Sequence, residues 1–440
     1  MRPTLEFTHF PAADGRNGWW ESLPAAAPAR EVSGQIAADW VVIGGGITGL
    51  CAARRLAELA PDAAIVLVEA DRIGRATAGR NSGFFVDLPH DISSEGYSRS
   101  IEADLADVRL QRHGIDYVRD TVRAQHIECD WRDEGKYHGA INPRGQAALK
   151  HFTDGLDRIG ERYDWLDAAA IRDVTGSPAY RGAVFTPGCA TAQPAALMRG
   201  LAATLPANVQ VYEASRALRI EQRGGRHWLT FPRGTVAARE AMLCTNAYAA
   251  TGQDGLLPVY TFGSMTRPLT PAEAARLGGR AAWSLIPADP MGTTVRRLAT
   301  GRICIRNHFA FRPGLAVSDA DLARARRLHA RSFARRFPML DGVEFEHTWG
   351  GPLCLSSNSG ARFGRRADGL YEVIGCNGLG LSRGSSAGKL IAEYALGQPG
   401  ELTRQLLEQP APRPLPAPAL SGLAVSATIW AKEWMAGEER

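Results

Sequence analysis

The chain has 440 residues, 45% of them apolar and 22% charged, with a formal net charge of +5. That balance belongs to a folded, water-soluble chain long enough for two domains, and it excludes a disordered polyelectrolyte. Basic charge is almost all arginine, with lysine only at Lys136, Lys150, Lys389 and Lys432, so a solvated surface is expected in preference to a nucleic-acid face.

Residues 1–38 read as an arm, with Gly18-Trp19-Trp20 as a surface anchor or a cover for an active-site mouth. The start lacks an apolar signal core, and no apolar run reaches the ~18 residues a membrane span needs. Asp39-Trp40-Val41-Val42-Ile43 is a short β-branched strand. Gly44-Gly45-Gly46-Ile47-Thr48-Gly49 follows, then a helix from Leu50 to Ala57, then the strand Ile65–Val68, which ends in Glu69. This is G-x-G-x-x-G inside a βαβ unit, with an acid about 20 residues past the last glycine. Gly44 allows the turn out of the strand, Gly46 lets a pyrophosphate approach the backbone, and Gly49 lets helix and strand pack closely. The N–H groups of Ile47 and Thr48 then face the phosphates at the positive end of the helix. Glu69, with Ala70 beside it, accepts the hydroxyls of an adenosine ribose.

The next stretch, Asp71 to Phe85, contains Thr77-Ala78-Gly79-Arg80-Asn81-Ser82-Gly83, a second loop of small and amide residues. It resembles the G-A-S-G-R-N-G-G segment of the FAD-dependent D-amino-acid oxidase superfamily. Within that superfamily it is most similar to the amine oxidoreductases of the gamma-glutamylputrescine oxidoreductase, sarcosine oxidase and glycine oxidase type. The resemblance implies FAD as the cofactor, met here by Arg80, Asn81, Ser82 and Gly83.

Residues 93–131 read as mainly helical, starting at Ser93-Ser94-Glu95, with Ile101, Leu105, Val108, Ile115, Val118 and Val122 in a stripe. A strand follows over 135–141, a helix over 144–163, and a short helix or turn over 164–176. Residues 184–201 form a loop into a helix, and 209–213 a strand. Ala217–Ile220 and Trp228–Phe231 form a hairpin over Gly224-Gly225. Ala241–Cys244 is a buried strand ending in Thr245-Asn246-Ala247-Tyr248. That turn resembles the family's "A-T-N-A-Y/W", which implies that Thr245, Asn246 and the backbone of Ala217 meet the adenine end of FAD.

Strands are expected at 259–266 and 301–309, and a basic helix at 319–336 whose Leu322, Ala325, Leu328 and Phe333 pack inward. Trp349-Gly350-Gly351 and the later strand Tyr371–Ile374 precede Gly375-Cys376-Asn377-Gly378-Leu379-Gly380-Leu381-Ser382, then a helix from Ser385 to Leu396. The last loop resembles the family's "G-F-S-G-H-G-x" segment. By that resemblance Gly351 and Gly378 to Ser382 lie along the flavin, with backbone donors at its N1/O2 edge. Residues 400–440 are Pro-rich, then helical from about Ser421.

The expected fold class is α/β (α+β, two-domain). A Rossmann-like FAD-binding domain comes from 39–92, 184–255 and 346–398. A smaller antiparallel-sheet substrate domain comes from 93–183 and 256–345, and a peripheral helix from 399–440. The implied activity is FAD-dependent oxidation of a primary or secondary amine to an imine by hydride transfer to flavin N5, with oxygen or a quinone or carrier protein as acceptor. Oxidation of a C–O or C–C bond, and an RNA-associated flavoprotein guided by the basic helix, are the alternatives. Sarcosine oxidases carry His and Lys where this chain has Leu379 and Ser382, so a larger or less anionic amine is expected. Arg306, His308 and Trp349 are the candidate catalytic residues. Cys354 stands about three residues late for the cysteine that bonds flavin in sarcosine oxidases and is expected to be a buried thiol, as His90 and His347 are expected to be structural. Seven cysteines without a C-x-x-C pair suit a reducing cytoplasm and argue against disulfides and a metal site. The oligomeric state is not set by the sequence.

Overall fold

Among the described residues two large sheets dominate the fold, with a small third one made by Phe84–Phe85 and Ala190–Thr191. The computed structural model describes residues 4–11, 16–90, 94, 97, 99–249, 255–414 and 418–440. In the first sheet, strands Val209–Tyr212, Ile65–Val68, Gly34–Ile43 and Gly234–Leu243 lie side by side, all parallel. Ile65–Val68 and the second half of Gly34–Ile43 are buried on both faces, as central parallel strands require, while Val209–Tyr212 is the partly exposed edge. The strand Gly234–Leu243 has two partners on its other side. Its first half pairs antiparallel with the hairpin Arg219–Arg223 and Arg226–Phe231, and its second half pairs parallel with Leu370–Ile374. Gly224 and Gly225, at φ +56° and +75°, turn the hairpin in the left-handed region that glycine enters freely.

Helices Ile47–Leu59, Ser382–Ala395 and Ile101–Ala124 pack together on one face of this sheet. Their contacts are backbone-close: a Cβ on Gly388 would stand 2.3 Å from the Thr48 carbonyl oxygen, and one on Gly114 2.0 Å from that of Ser382. The helix Ile101–Ala124, assigned to the substrate domain from the sequence, is thus seated on the cofactor side. Its first turn is capped by Ser100, later than the expected start at Ser93-Ser94-Glu95, of which Ser93 and Glu95 lie outside the described residues.

The second sheet runs in the order Phe345–Ser356, Leu256–Thr266, Ile303–Phe311, Thr294–Arg297, Trp283–Pro287, Lys136–Ala140, Gly182–Thr186, Asp164–Asp167. It is antiparallel except where Trp283–Pro287 meets Lys136–Ala140. It takes in two stretches drawn into the cofactor domain from the sequence: the start of 184–255, and the start of 346–398, which belongs to Phe345–Ser356 and pairs along its length with Leu256–Thr266. The Asp164–Asp167 strand stands where a helix or turn is expected. The helix Asp319–Arg336 covers one face, started by a capping box in which Ser318 and Asp321 satisfy each other's amides. Its Leu322, Ala325 and Phe333 are buried, while Leu328 is half-buried. The helix Pro418–Ala436 covers part of the other face, where Val425 and Ile429 meet Val259, Phe309 and Leu355. No described helix is long and apolar enough to cross a membrane.

Candidate cofactor and substrate site

The first glycine turn contains glycines of two kinds. Gly44 has φ +109°, and a Cβ there would lie 2.6 Å from the Cys244 carbonyl oxygen. A Cβ on Gly49 would lie 1.9 Å from the Gly44 carbonyl oxygen. The protein's own packing requires both. Gly46 is different: an added Cβ would meet nothing nearer than Ala78 Cβ at 3.5 Å, so its bareness leaves open space in a cleft. The Gly44 amide donates to the Val68 carbonyl at 2.8 Å and the Gly45 amide to Glu69 Oε2 at 2.7 Å. The amides of Gly46, Ile47 and Thr48 meet no acceptor among the described residues, and they open the helix Ile47–Leu59. Such a helix end is an anion site. Glu69 is held by that bond and by the Asp71 amide at 3.0 Å to Oε1, and burial pushes its carboxyl above the usual range.

The second glycine turn repeats the design. Gly375, Asn377 and Gly378 have φ +98°, +48° and +88°. Asn377 pins the turn: its Oδ1 accepts from the Ser356 amide at 2.9 Å, and its Nδ2 donates to the Ser359 and Gly360 carbonyls at 3.0 Å. Asn246 Oδ1 accepts from the Gly375 amide at 3.1 Å, which ties the Thr245-Asn246 turn to this loop. The amides of Gly380, Leu381 and Ser382 meet no acceptor among the described residues at the start of the helix Ser382–Ala395. Cβ atoms on Gly378 and Gly380 would come no closer than 3.8 Å to anything, so space is again kept clear.

The loop between them is fixed by its own side chains. Arg80 donates to the Arg75 and Gly350 carbonyls at 2.8 and 3.0 Å, and its carbonyl accepts the Trp349 indole N–H at 2.9 Å. Asn81 spans the turn, donating to the Ala78 carbonyl and accepting from the Gly83 amide. The buried Arg296 donates to the carbonyls of Ser82 and Ala192 at 2.9 and 2.8 Å, fastening this loop to the second sheet. Burial pulls its guanidinium down to about 10.

All the residues expected at the cofactor line one continuous cleft except three. Gly49 and Gly83 stand behind it. A Cβ on Gly83 would strike the Ala192 carbonyl oxygen at 2.2 Å, so that glycine serves packing. Ser382 is buried, contributing helix backbone, and its hydroxyl meets no partner among the described residues. The donor set suits an extended dinucleotide: two helix N-termini with open amides, a fixed carboxylate, and three glycines that leave room. Thr245, Thr261 and Thr294 line the same cleft, and their buried hydroxyls meet no partner among the described residues. Sequence reasoning missed Thr261, Thr294 and Arg296. It also missed Phe7, His9, Phe10 and Pro11, which bring the arm to the cleft near Ala217. Two phenylalanines three residues apart, Phe7 and Phe10, were the available signal. The rest of the arm is anchored as expected, with Trp19 1% exposed and edge-on to Trp349 at 6.4 Å. The strand Gly34–Ile43 begins inside the stretch read as arm.

On the substrate side, Arg306 and Trp349 line the cleft and His308 does not. A bulge between Thr261 and Phe262 and a φ of +62° at His308 turn that ring away, stacked on Phe262 and 3.0 Å from Glu433 Oε1. Arg306 is paired with no carboxylate among the described residues; its guanidinium lies 5.3 Å over the Phe309 ring, and burial pulls it below its usual value. Cys354 does not line the cleft. It is fully buried with Leu322 and Ala325, on the side covered by the helix Asp319–Arg336. His90, expected to be structural, lines the cleft and stacks on Tyr97 at 4.6 Å. Its Nδ1 meets no hydrogen-bond partner among the described residues. Burial, reinforced by Lys136 and Arg306, pulls the imidazole down to about 3, so it is neutral.

Residues 39–394 match the family model described as FAD dependent oxidoreductase, DAO. The chain is 29% identical over 377 residues to gamma-glutamylputrescine oxidoreductase of Escherichia coli (strain K12), covering 84% of this chain and 86% of that one. Glycine oxidase from Geobacillus kaustophilus superposes with a TM-score of 0.66 at 19% identity, covering 83% of this chain and 96% of that one. Iminodiacetate oxidase from Chelativorans sp. BNC1 gives 0.65 at 19% identity, covering 82% and 96%. At such identities the structural likeness speaks for the fold.

Proposed function

We infer that this chain, which belongs to the FAD-dependent oxidoreductase (DAO) family, oxidises the C–N bond of a primary or secondary amine. FAD is the cofactor, and once bound it accepts the two electrons removed from that bond. The supporting observation is the convergence of both glycine turns and Arg306 on one cleft. Two of the similar enzymes are named for gamma-glutamylputrescine and iminodiacetate, which are both amines, and this supports the reading.

In this reading the first turn and Glu69 hold the adenosine and pyrophosphate. The open amides of Gly380, Leu381 and Ser382, at a helix N-terminus, stabilise negative charge placed beside them. Arg306 does two things. It can hold an anionic group of the substrate, and its uncompensated charge disfavours a protonated amine nearby. The reacting nitrogen must be neutral, so the second effect aids the reaction. His90 lines the cleft and, held neutral, adds no second positive charge beside the amine. Trp349 engages its own N–H with the Arg80 carbonyl, so it shapes the cleft and positions Arg80.

Anaerobic titration of the holoenzyme with an amine panel tests this reading. Bleaching of the flavin spectrum by at least one amine is expected; no bleaching by any member contradicts it. Readmitting air then identifies the acceptor: fast recolouring assigns oxygen, and slow recolouring accelerated by a quinone analogue assigns a quinone or carrier.

A further inference from the structure

The helix Pro418–Ala436 is built inside out. Its inner side lays Val425 and Ile429 on the second sheet, and it also holds the helix's only two charged residues. Glu433, 5% exposed, accepts from the Phe309 amide at 2.7 Å and pairs with His308 and, at 2.8 Å, with Arg440. Lys432 lines a cavity between helix and sheet. The outer side is uncharged. Leu423 and Trp434 are 72% exposed, Trp430 65% and Met435 45%, with the exposed Ala427 between them. A helix at a protein surface normally shows the reverse pattern, and one that is apolar on every side belongs in a buried position.

Spacing, area and charge together select what covers it. Leu423, Ala427, Trp430 and Trp434 follow one another by four, three and four residues, the seam along which two helices pair. That seam is small at one end and large at the other. Laid antiparallel on its own copy, its Leu423–Ala427 half meets the Trp430–Trp434 half, so small packs on large about a closed two-fold axis. At ~250 Å² for a whole tryptophan, the exposed side chains offer roughly 500 Å² per chain, hence about 1,000 Å² for a pair, which reaches the area a specific interface needs. A membrane surface would instead call for Lys and Arg beside the apolar stripe. Here the arginine-rich helix Asp319–Arg336 covers the opposite face of the sheet, and the residues after the stripe include Glu438 and Glu439.

We propose that this outer stripe docks a second copy of the chain, as an antiparallel pair of C-terminal helices. The inference is independent of the amine reading. Glu433 fixes the helix to the strand that carries His308 and Phe309, so the seam is presented ready-made and little ordering opposes the pairing. The two tryptophans are the anchors, as large aromatic side chains are at interfaces generally. The C-terminal helix is then an assembly element and not a peripheral appendage.

Sedimentation velocity on the full-length, flavin-loaded protein tests this. A two-chain species is expected, with Trp434→Glu and Leu423→Lys each weakening the pairing by roughly a hundredfold. Mixing the two variants should restore the two-chain species, because antiparallel pairing sets the new Lys of one chain against the new Glu of the other. Flavin content and circular dichroism report the folding of each variant. Should either fail to fold, the parent decides: its tryptophan emission should shift to the red on dilution, and Trp430→Phe with Trp434→Phe should abolish that shift. A single chain at every concentration up to roughly 100 μM overturns the proposal. So does a two-chain species that both substitutions leave intact, or a mixture that stays apart. A single chain that sediments with anionic vesicles, and no longer does so in Trp434→Glu, would also overturn it and make the stripe a membrane contact.

Discussion

Gly46 and Arg306 face the same cleft but reach it by different routes. Gly46 sits between a strand and a helix that are neighbours in sequence, and the cofactor side around it is made of backbone: open amides, glycines and one carboxylate held by two amides. Arg306 lies on a strand between Leu256–Thr266 and Thr294–Arg297, and the substrate side around it is made of side chains drawn from segments far apart. Backbone geometry is written in short motifs, so one side is largely fixed by local sequence. The other depends on register, and one bulge at Thr261/Phe262 decides which side chains enter.

The largest effects expected concern the first turn. Gly46→Val should yield protein that folds but is purified nearly colourless, since its side chain enters only cleft space. Gly49→Ala should also lose flavin, but through a lowered thermal midpoint of the apoprotein, because its Cβ has no room. If the two variants behave alike, the distinction between cofactor and packing glycines fails. Next, Arg296→Met strands the buried Ala192 carbonyl and the half-buried Ser82 carbonyl and should cost ~2 kcal/mol of stability; an unchanged denaturation midpoint would show that the two sheets are not tied there.

On the substrate side, Arg306→Met should keep its flavin yet lose roughly 10²-fold in kcat/KM for anionic amines. His308→Gln should stay within about threefold of the parent, since its ring faces Glu433 and not the cleft. A reversed ranking of these two would return His308 to the site.

The smallest effect expected is on pH. Glu439 accepts from the Ile141 and Asn142 amides, and burial raises its carboxyl to about 7. Its folded value lies above the unfolded value of 4.5, so its contribution to stability is present below about 4.5 and lost as pH rises through about 7. The thermal midpoint should therefore fall between pH 5 and 8 by a few degrees more than in Glu439→Gln; parallel profiles would remove Glu439 from the account.

The same contrast explains what the sequence disclosed. The βαβ unit, the hairpin over Gly224-Gly225 and the helix Asp319–Arg336 each carry their signal within a few residues. Strands Trp283–Pro287 and Thr294–Arg297 did not, because a strand carrying Arg296 and Arg297 does not look buried until Ser82 and Ala192 supply the partners. His90 was passed over for a related reason. Its neutrality comes from burial and from Lys136 and Arg306, which are distant in sequence.

A crystal structure of the holoenzyme tests the central claim most directly. Electron density for a single FAD is expected, with its adenosine ribose on Glu69, its pyrophosphate on the Gly46–Thr48 amides, and its ring system against the Gly380–Ser382 amides beside Arg306. Density that ends at the first turn, or a flavin ring turned away from Gly378 and Arg306, would contradict it.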